Sequence, residues 1–251
     1  MTDDALQPLT PPAEFIAAAE AQGIIFDDGD LNTLGTYLAH LLATNRQFNL
    51  TAVTDADTAW SRHILDSLAL LPFLASAEAT NIIDIGSGGG LPGIPLAIVS
   101  PDMHFTLLEA TGKKARFLQH MVDTLPLSNA RVVNDRAEVM AHDRDTHRAQ
   151  YDIVIARAVG PLPVLLELTI PFAREGGFVL AVKGERAAEE IEQAQQALHL
   201  LHAVVAQSVR TPTSTIVVIE KSRTTPRIYP RRPGEPKRAP LGVGSAKGKP
   251  A

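Results

Sequence analysis

Asp84-Ile85-Gly86-Ser87-Gly88-Gly89-Gly90-Leu91-Pro92-Gly93-Ile94-Pro95 is the stretch on which the fold turns. The run Asn81–Ile85 in front of it is short and apolar, as a buried strand should be, and Pro92–Ser100 behind it reads as a helix. Five glycines fall in the eight positions from Gly86 to Gly93. Glycine lets a backbone turn tightly and approach a ligand without a Cβ clash. Pro92 suits a first helical turn, where its missing N–H costs nothing. A strand, a glycine loop and a helix in that order form a ligand-binding corner, because open α/β sheets bind ligands beyond the carboxyl ends of their strands.

Further along, His104–Leu108, Arg131–Asn134, Asp152–Ala156 and Gly177–Val182 are similar apolar runs. Helical stretches separate them, at 113–124, 161–172 and 185–198. This alternation predicts a doubly wound, mostly parallel sheet covered on both faces. Two last strands, His202–Val209 and Ser214–Glu220, are joined by Thr211-Pro212-Thr213. That corner is too short for a crossover, so the pair should be antiparallel. Ahead of residue 81 the pattern is helical: Phe15–Ala21, Asp30–Arg46 with Asp30 as N-cap, and Asp55–Leu71 closed by Pro72. Residues 1–12 are polar and proline-bearing and read as loose. The expected division is a helical segment over 1–80, a Rossmann-like domain over 81–221 and a basic Pro/Gly-rich tail over 222–251, disordered towards its end.

Composition narrows the classes. The 251 residues (26.9 kDa) are 45% apolar and 20% charged, with ample length for a core. There is no cysteine, which excludes disulfides, thiolate nucleophiles and cysteine–zinc sites, and no metal is expected. No apolar run reaches membrane-span length, and the acidic Met1-Thr2-Asp3-Asp4 is unlike a signal peptide, so a cytoplasmic protein is expected. The net charge of −5 divides unevenly: Lys221 to the end carries +8 and the rest −13. A basic end on an acidic body suits a polyanionic partner or a solvated tail.

The ligand follows from charge. Gly88, Gly90 and Gly93 match the G-x-G-x-x-G spacing of dinucleotide sites, a weak signal by itself. The other phase, Asp84-x-Gly86-x-Gly88-x-Gly90, sets a carboxylate beside the loop. That carboxylate repels a pyrophosphate and attracts a methionine moiety bearing a sulfonium and an ammonium, so it favours S-adenosylmethionine over NAD. No Gly-Lys-Ser/Thr P-loop is present. The second strand ends in Leu107-Leu108-Glu109, where an acid can accept hydrogen bonds from ribose hydroxyls.

Further motifs join these: Asn49-Leu50-Thr51-Ala52, Arg62-His63-Ile64-Leu65-Asp66-Ser67-Leu68, Gly112-Lys113-Lys114 with Arg116-Phe117-Leu118, Arg136-Ala137-Glu138, Ile155-Ala156-Arg157-Ala158, Lys183-Gly184, and Tyr229-Pro230-Arg231 with Pro240-Leu241. Together with 84–95 they resemble, in order, the bacterial small-subunit ribosomal RNA methyltransferase G family, also called glucose-inhibited division protein B. The resemblance covers most of residues 45–241. It implies a class I S-adenosylmethionine-dependent methyltransferase fold and methyl transfer to N7 of a guanosine in the decoding region of 16S rRNA, free or in the small ribosomal subunit. The family's cofactor positions fall on Gly86, Leu91, Ala137, Glu138 and Arg157; the physical reading adds Asp84, Gly88 and Glu109. Gly89 stands where relatives often carry Ala or Pro, which suggests a looser loop.

Guanine N7 presents an in-plane lone pair at neutral pH, so the transfer needs alignment rather than a general base, and no catalytic base is assigned. Candidate RNA contacts are Lys113, Lys114, Arg136, Lys183, Tyr229 and Arg231, with Tyr229 stacking on a base and neighbouring arginines on phosphates. His63 and Asp66 read as a structural pair, or Arg62 and Asp66 as an i,i+4 bridge. A monomer is the favoured state. Two other readings remain open: a non-catalytic RNA-binding or assembly factor on the same fold, and an NAD-dependent oxidoreductase, for which no hydride-transfer constellation is visible.

Overall fold

The computed structural model describes residues 6–125 and 127–243. They form two compact units, Met1–Asp135 and Arg136–Ala251. The N-terminal helices share a unit with the first three strands, and the segment after β7 shares one with the last four strands.

The first unit contains α1 (Ala13–Ala21), α2 (Asp30–Asn45), α3 (Ala56–Ala59), a π-helical turn (Trp60–Leu65), α4 (Asp66–Leu68), α5 (Leu71–Ser76), β1 (Asn81–Ile85), α6 (Gly93–Val99), β2 (His104–Leu108), α7 (Gly112–Thr124) and β3 (Ala130–Val133). The strands are parallel in the order β3-β2-β1. Helical spacing puts Leu34, Tyr37, Leu38 and Leu41 of α2 into the core, where all four are buried, at about 1.5–3 kcal/mol for each large apolar side chain. Phe15 and Trp60 close that core, with ring centroids 4.7 Å apart.

Four local expectations change. Asp30 is the first residue of α2, not its cap: Gly29 precedes it at φ +95°, and the Asp30 Oδ2 accepts the Asp27 N–H at 3.0 Å. The expected helix over 55–71 starts on its cap, Asp55, whose side chain accepts the Thr58 N–H, but it then widens into the π turn and breaks. Pro72 sits in the first turn of α5 instead of ending a helix. The segment before α1 is not loose where described. Leu9 donates its N–H to the Gly35 carbonyl at 3.1 Å, and a Cβ on Gly35 would lie 2.3 Å from the Leu9 carbonyl oxygen.

The second unit contains α8 (Ala137–Met140), β4 (Tyr151–Arg157), α9 (Leu162–Thr169), β5 (Ala173–Lys183), α10 (Ala187–Gln193), α11 (Gln195–Leu201), β6 (Ala203–Arg210), β7 (Thr215–Lys221) and α12 (Glu235–Arg238). The strand order is β4-β5-β7-β6. β4 and β5 are parallel, and β7 is antiparallel to both its neighbours, so β7 alone is reversed in this unit. β4 is buried on both faces, which explains its unbroken apolar run; β6, at the edge, is largely exposed. The helix expected over 185–198 is two, meeting at Ala194.

The basic end is folded as far as it is described. Tyr229, Pro236 and Leu241 are buried. Arg148 donates to the carbonyls of Thr225, Pro226 and Tyr229, and also to that of Ala141, at 2.8–3.2 Å. Residues 244–251 of the expected tail lie outside the described residues. Among the described residues, no helix is long and apolar enough to cross a membrane, and no group of three or more His, Asp or Glu could hold a metal.

Candidate functional site

The glycine loop leaves β1 and folds back over the end of β2. Gly86 and Ser87 both donate their N–H to the Leu108 carbonyl, at 2.8 and 3.1 Å, and the Ser87 hydroxyl donates to the Asp84 carbonyl at 2.9 Å. Gly86, Gly88 and Gly90 take φ of +73°, +59° and +94°, conformations that cost a residue with a Cβ about 1 kcal/mol or more. Gly90 donates to the Ser87 carbonyl at 2.7 Å, and Ile94 to that of Gly90, which leads the chain into α6.

Two carboxylates hold the loop from different sides. Asp84 is 1% exposed and lies beneath it, its Oδ2 accepting the Gly93 N–H at 3.1 Å. A Cβ on Gly93 would stand 2.4 Å from Leu107 Cδ2 and 2.8 Å from Asp84 Oδ2, so this glycine is dictated by close helix–strand packing. Glu109 stands at the loop's flank. Its Oε2 accepts the Gly88 N–H at 2.9 Å and its Oε1 the Thr111 N–H at 2.7 Å. Asn134 fixes the backbone there by donating to the Glu109 carbonyl at 2.7 Å. Neither carboxylate merely flanks the loop, as the sequence suggested; each is hydrogen-bonded into it.

A third support has no local signal. The Tyr37 hydroxyl of α2 donates to the Gly89 carbonyl at 2.7 Å. A Cβ on Gly89 would lie 2.8 Å from Leu41 Cδ1 and 3.4 Å from Leu50 Cβ. The loop is therefore packed and anchored at Gly89 rather than loosened. Leu50 belongs to a segment held by Asn45, whose Oδ1 accepts the N–H groups of Leu50 and Thr51. The Thr51 hydroxyl in turn bonds Nε2 of the buried His63, at 2.7 Å, on the π turn. On α7, the exposed Lys113 places its ammonium 5.0 Å from the centre of the Phe48 ring, a cation–π contact, while Lys114 is half-buried.

In the second unit, Ala137 and Glu138 open α8 and Arg157 ends β4. The Glu138 carboxylate accepts the Gly234 N–H at 2.8 Å and lies 3.8 Å from the half-exposed Arg136. Lys183 is closed off from solvent: its ammonium pairs with Glu190 at 2.7 Å and donates to the Gly160 carbonyl at 2.7 Å. Glu190 also accepts the Leu162 N–H, so the pair shapes the turn into α9. The Arg231 guanidinium forks onto the fully buried Glu167 at 2.7 and 2.9 Å, and this hydrogen bonding raises its pKa. Tyr229 is 7% exposed and offers no open ring to a base. The polar groups of Lys183 and Arg231, and the ring of Tyr229, are thus engaged by the protein itself. The expectation of an RNA contact passes to their exposed neighbours.

Solved structures share this fold. An O-methyltransferase from Bacillus cereus in complex with SAH superposes with a TM-score of 0.58 at 18% identity, over 83% of this chain and 97% of that one. A methyltransferase from Geobacter sulfurreducens gives 0.54 at 14% identity, over 83% and 98%. These likenesses carry the class I methyltransferase fold. Among curated proteins, the ribosomal RNA small subunit methyltransferase G of Sorangium cellulosum (strain So ce56) is 46% identical over 226 residues, covering 90% of this chain and 94% of the relative. The protein of that name from Chloroflexus aggregans (strain MD-66 / DSM 9485) is 42% identical over 231 residues, covering 90% and 96%. The family model for GidB, rRNA small subunit methyltransferase G, matches residues 30–216. With the glycine loop intact and near-complete coverage of both relatives, the chain belongs to the rRNA small subunit methyltransferase G family.

Proposed function

We propose that this protein transfers a methyl group from S-adenosylmethionine to N7 of a guanosine in 16S rRNA. The observation that carries the reading is the left-handed glycine loop clamped between two carboxylates, Asp84 below and Glu109 at the flank. The fit to the cofactor is chemical. An ionised carboxylate has about four acceptor positions, and the Gly88 and Thr111 N–H groups take one on each Glu109 oxygen, which leaves others for ribose hydroxyls. The buried Asp84 places negative charge under the loop, which suits a cationic methionine moiety and opposes a pyrophosphate.

S-adenosylmethionine supplies an activated methyl carbon on a sulfonium that is already a good leaving group. The chain's part is to orient and to exclude water. Gly86, Gly88 and Leu91 would present the loop backbone to it, and Glu109 would accept from the ribose hydroxyls. In the second unit the family pattern assigns Ala137, Glu138 and Arg157. Glu138 Oε1 accepts the Gly234 N–H, and its other acceptor positions and its backbone remain for a ligand. No residue moves a proton, because the N7 lone pair attacks directly. Alignment of that kind contributes up to about 7–11 kcal/mol in favourable cases. Lys114 and Arg136 are proposed as RNA contacts, with Lys113 only if its ring contact opens. We propose further that it meets its rRNA substrate in the cytoplasm and works as a monomer.

The test is incubation of unmodified 16S rRNA, and of small subunits carrying it, with methyl-labelled cofactor, followed by mass spectrometry of the nucleosides. Label in 7-methylguanosine is expected. Binding of S-adenosylhomocysteine and RNA without incorporation would replace this reading by a non-catalytic factor.

A further inference from the structure

The folded C-terminal segment spends some of its cations on itself and leaves others outward. Arg231 is closed on Glu167. By contrast, the exposed Arg227, Arg232, Lys237 and Arg238 make no side-chain ion pair among the described residues. Arg227 and Arg232 stand at a groove of about 580 Å³, within the usual range for ligand pockets. Its apolar surface includes Ile228, 70% exposed, and Val139, 46% exposed, with Pro230 and Pro233. Two acids also reach it: Glu138 is tied to the Gly234 N–H, and Glu235 opens α12. The two acids match Arg227 and Arg232 in number, but Glu138 is buried and hydrogen-bonded, whereas both of these guanidinium groups face outward. An exposed isoleucine between two unpaired arginines fits neither a solvated tail nor a core. It does fit a strand that offers an apolar ring face and, on either side of it, a phosphate.

We propose that this groove is an RNA subsite, taking one unstacked nucleobase of the substrate against Ile228 and Val139 while Arg227 and Arg232 hold the flanking phosphates. The proposal rests on the rRNA methyltransferase reading above and adds to it a surface remote in sequence from the glycine loop. Unpaired bases in RNA are recognised by splaying them onto side-chain surfaces, and phosphate contacts set the register. The rigidity of the segment matters here. Because Arg148 fixes the carbonyls at 225, 226 and 229, the groove is preformed rather than ordered on binding.

The experiment uses the full chain with three probes: an unmodified 16S rRNA transcript, unmodified small subunits, and S-adenosylhomocysteine. Two variants are compared with the parent, the double Arg227→Gln/Arg232→Gln and the single Ile228→Ser. The double variant should bind the transcript at least tenfold more weakly. Its slope of log K against log salt should be shallower by about 1.5, as for two lost phosphate contacts. Ile228→Ser should lose about three- to tenfold in RNA affinity with the slope unchanged, since no charge is removed. Melting temperature and S-adenosylhomocysteine affinity should match the parent in both. Parental RNA affinity and slope in both variants would overturn the subsite. So would parental binding of the transcript with lost turnover on subunits only, which would make the groove a contact for a ribosomal protein. Absence of methyl transfer by the parent itself would overturn the methyltransferase reading, and it is scored separately from the slopes.

Discussion

At the residue scale, the loop depends on three groups that its sequence neighbourhood predicts unequally. Glu109 accepts from two backbone N–H groups on different oxygens, Gly88 on Oε2 and Thr111 on Oε1, so both carboxylate oxygens must be acceptors. Glu109→Gln must turn its NH2 towards either Gly88 or Thr111. We expect at least a tenfold loss of S-adenosylhomocysteine affinity, read by calorimetry, with a smaller effect on melting. Tyr37→Phe leaves the Gly89 carbonyl without its donor, a cost of about 1–3 kcal/mol. Chemical denaturation should show that loss, together with a several-fold weaker cofactor-product complex. Asp84 and Glu109 were visible in the sequence because Asp84 sits at the end of a short apolar run beside the glycines and Glu109 follows the end of the next one. Tyr37 was not, since it meets Gly89 across 52 residues and its local pattern is that of an ordinary core position.

At the element scale, strands were legible and irregular helices were not. β1 and β2 fall where the apolar runs end, at Ile85 and Leu108. The helix expected over 55–71 splits because its middle widens into the π turn that carries His63 towards Thr51, a long-range bond that periodicity does not encode. The fold of the C-terminal segment was not legible in the sequence. Its Pro, Gly, Lys and Arg content gives no periodicity from which a packing could be read, yet Arg148 gathers four carbonyls, three of them from this segment, and Arg231 locks onto Glu167. Arg148→Met removes all those donors. Trypsin should then cut after Arg231, which is sheltered in the parent, several-fold faster, while the glycine loop keeps its cofactor affinity. Unchanged cleavage would mean that the segment is held without Arg148.

At the scale of the whole molecule, two pH responses separate chemistry from stability. The transfer needs no titrating base, so the single-turnover rate at saturation should be flat between pH 6 and 8; a bell there would contradict direct attack by N7. Stability should respond at higher pH through Lys221. This lysine is 1% exposed and donates to the Ala173 carbonyl. Burial chiefly, with Arg148 nearby, lowers its pKa from 10.5 to about 8, partly opposed by Glu175. Below pH 8 the folded protein carries the buried charge at full cost. Between 8 and 10.5 the unfolded chain binds more protons than the folded one, so stability rises through that window, by up to about 3 kcal/mol from this group. In Lys221→Met that rise should flatten, measured as the difference in denaturant midpoint between parent and variant across the window.

What the sequence by itself determined is local: the strand endings, the glycines that must take left-handed conformations, the two acids beside them and the alternation that builds a doubly wound sheet. Each follows from backbone sterics or from periodic burial, which act over a few residues. What only the tertiary structure decided is which polar groups the protein uses up internally. Lys183 and Arg231 are cations in the sequence just as Arg227 and Arg232 are. Only distant partners, Glu190 for Lys183 and Glu167 for Arg231, separate the cations that hold the fold from those left to meet a polyanion. A charge is spent or available according to its neighbours in space, and those neighbours come from other elements of the chain.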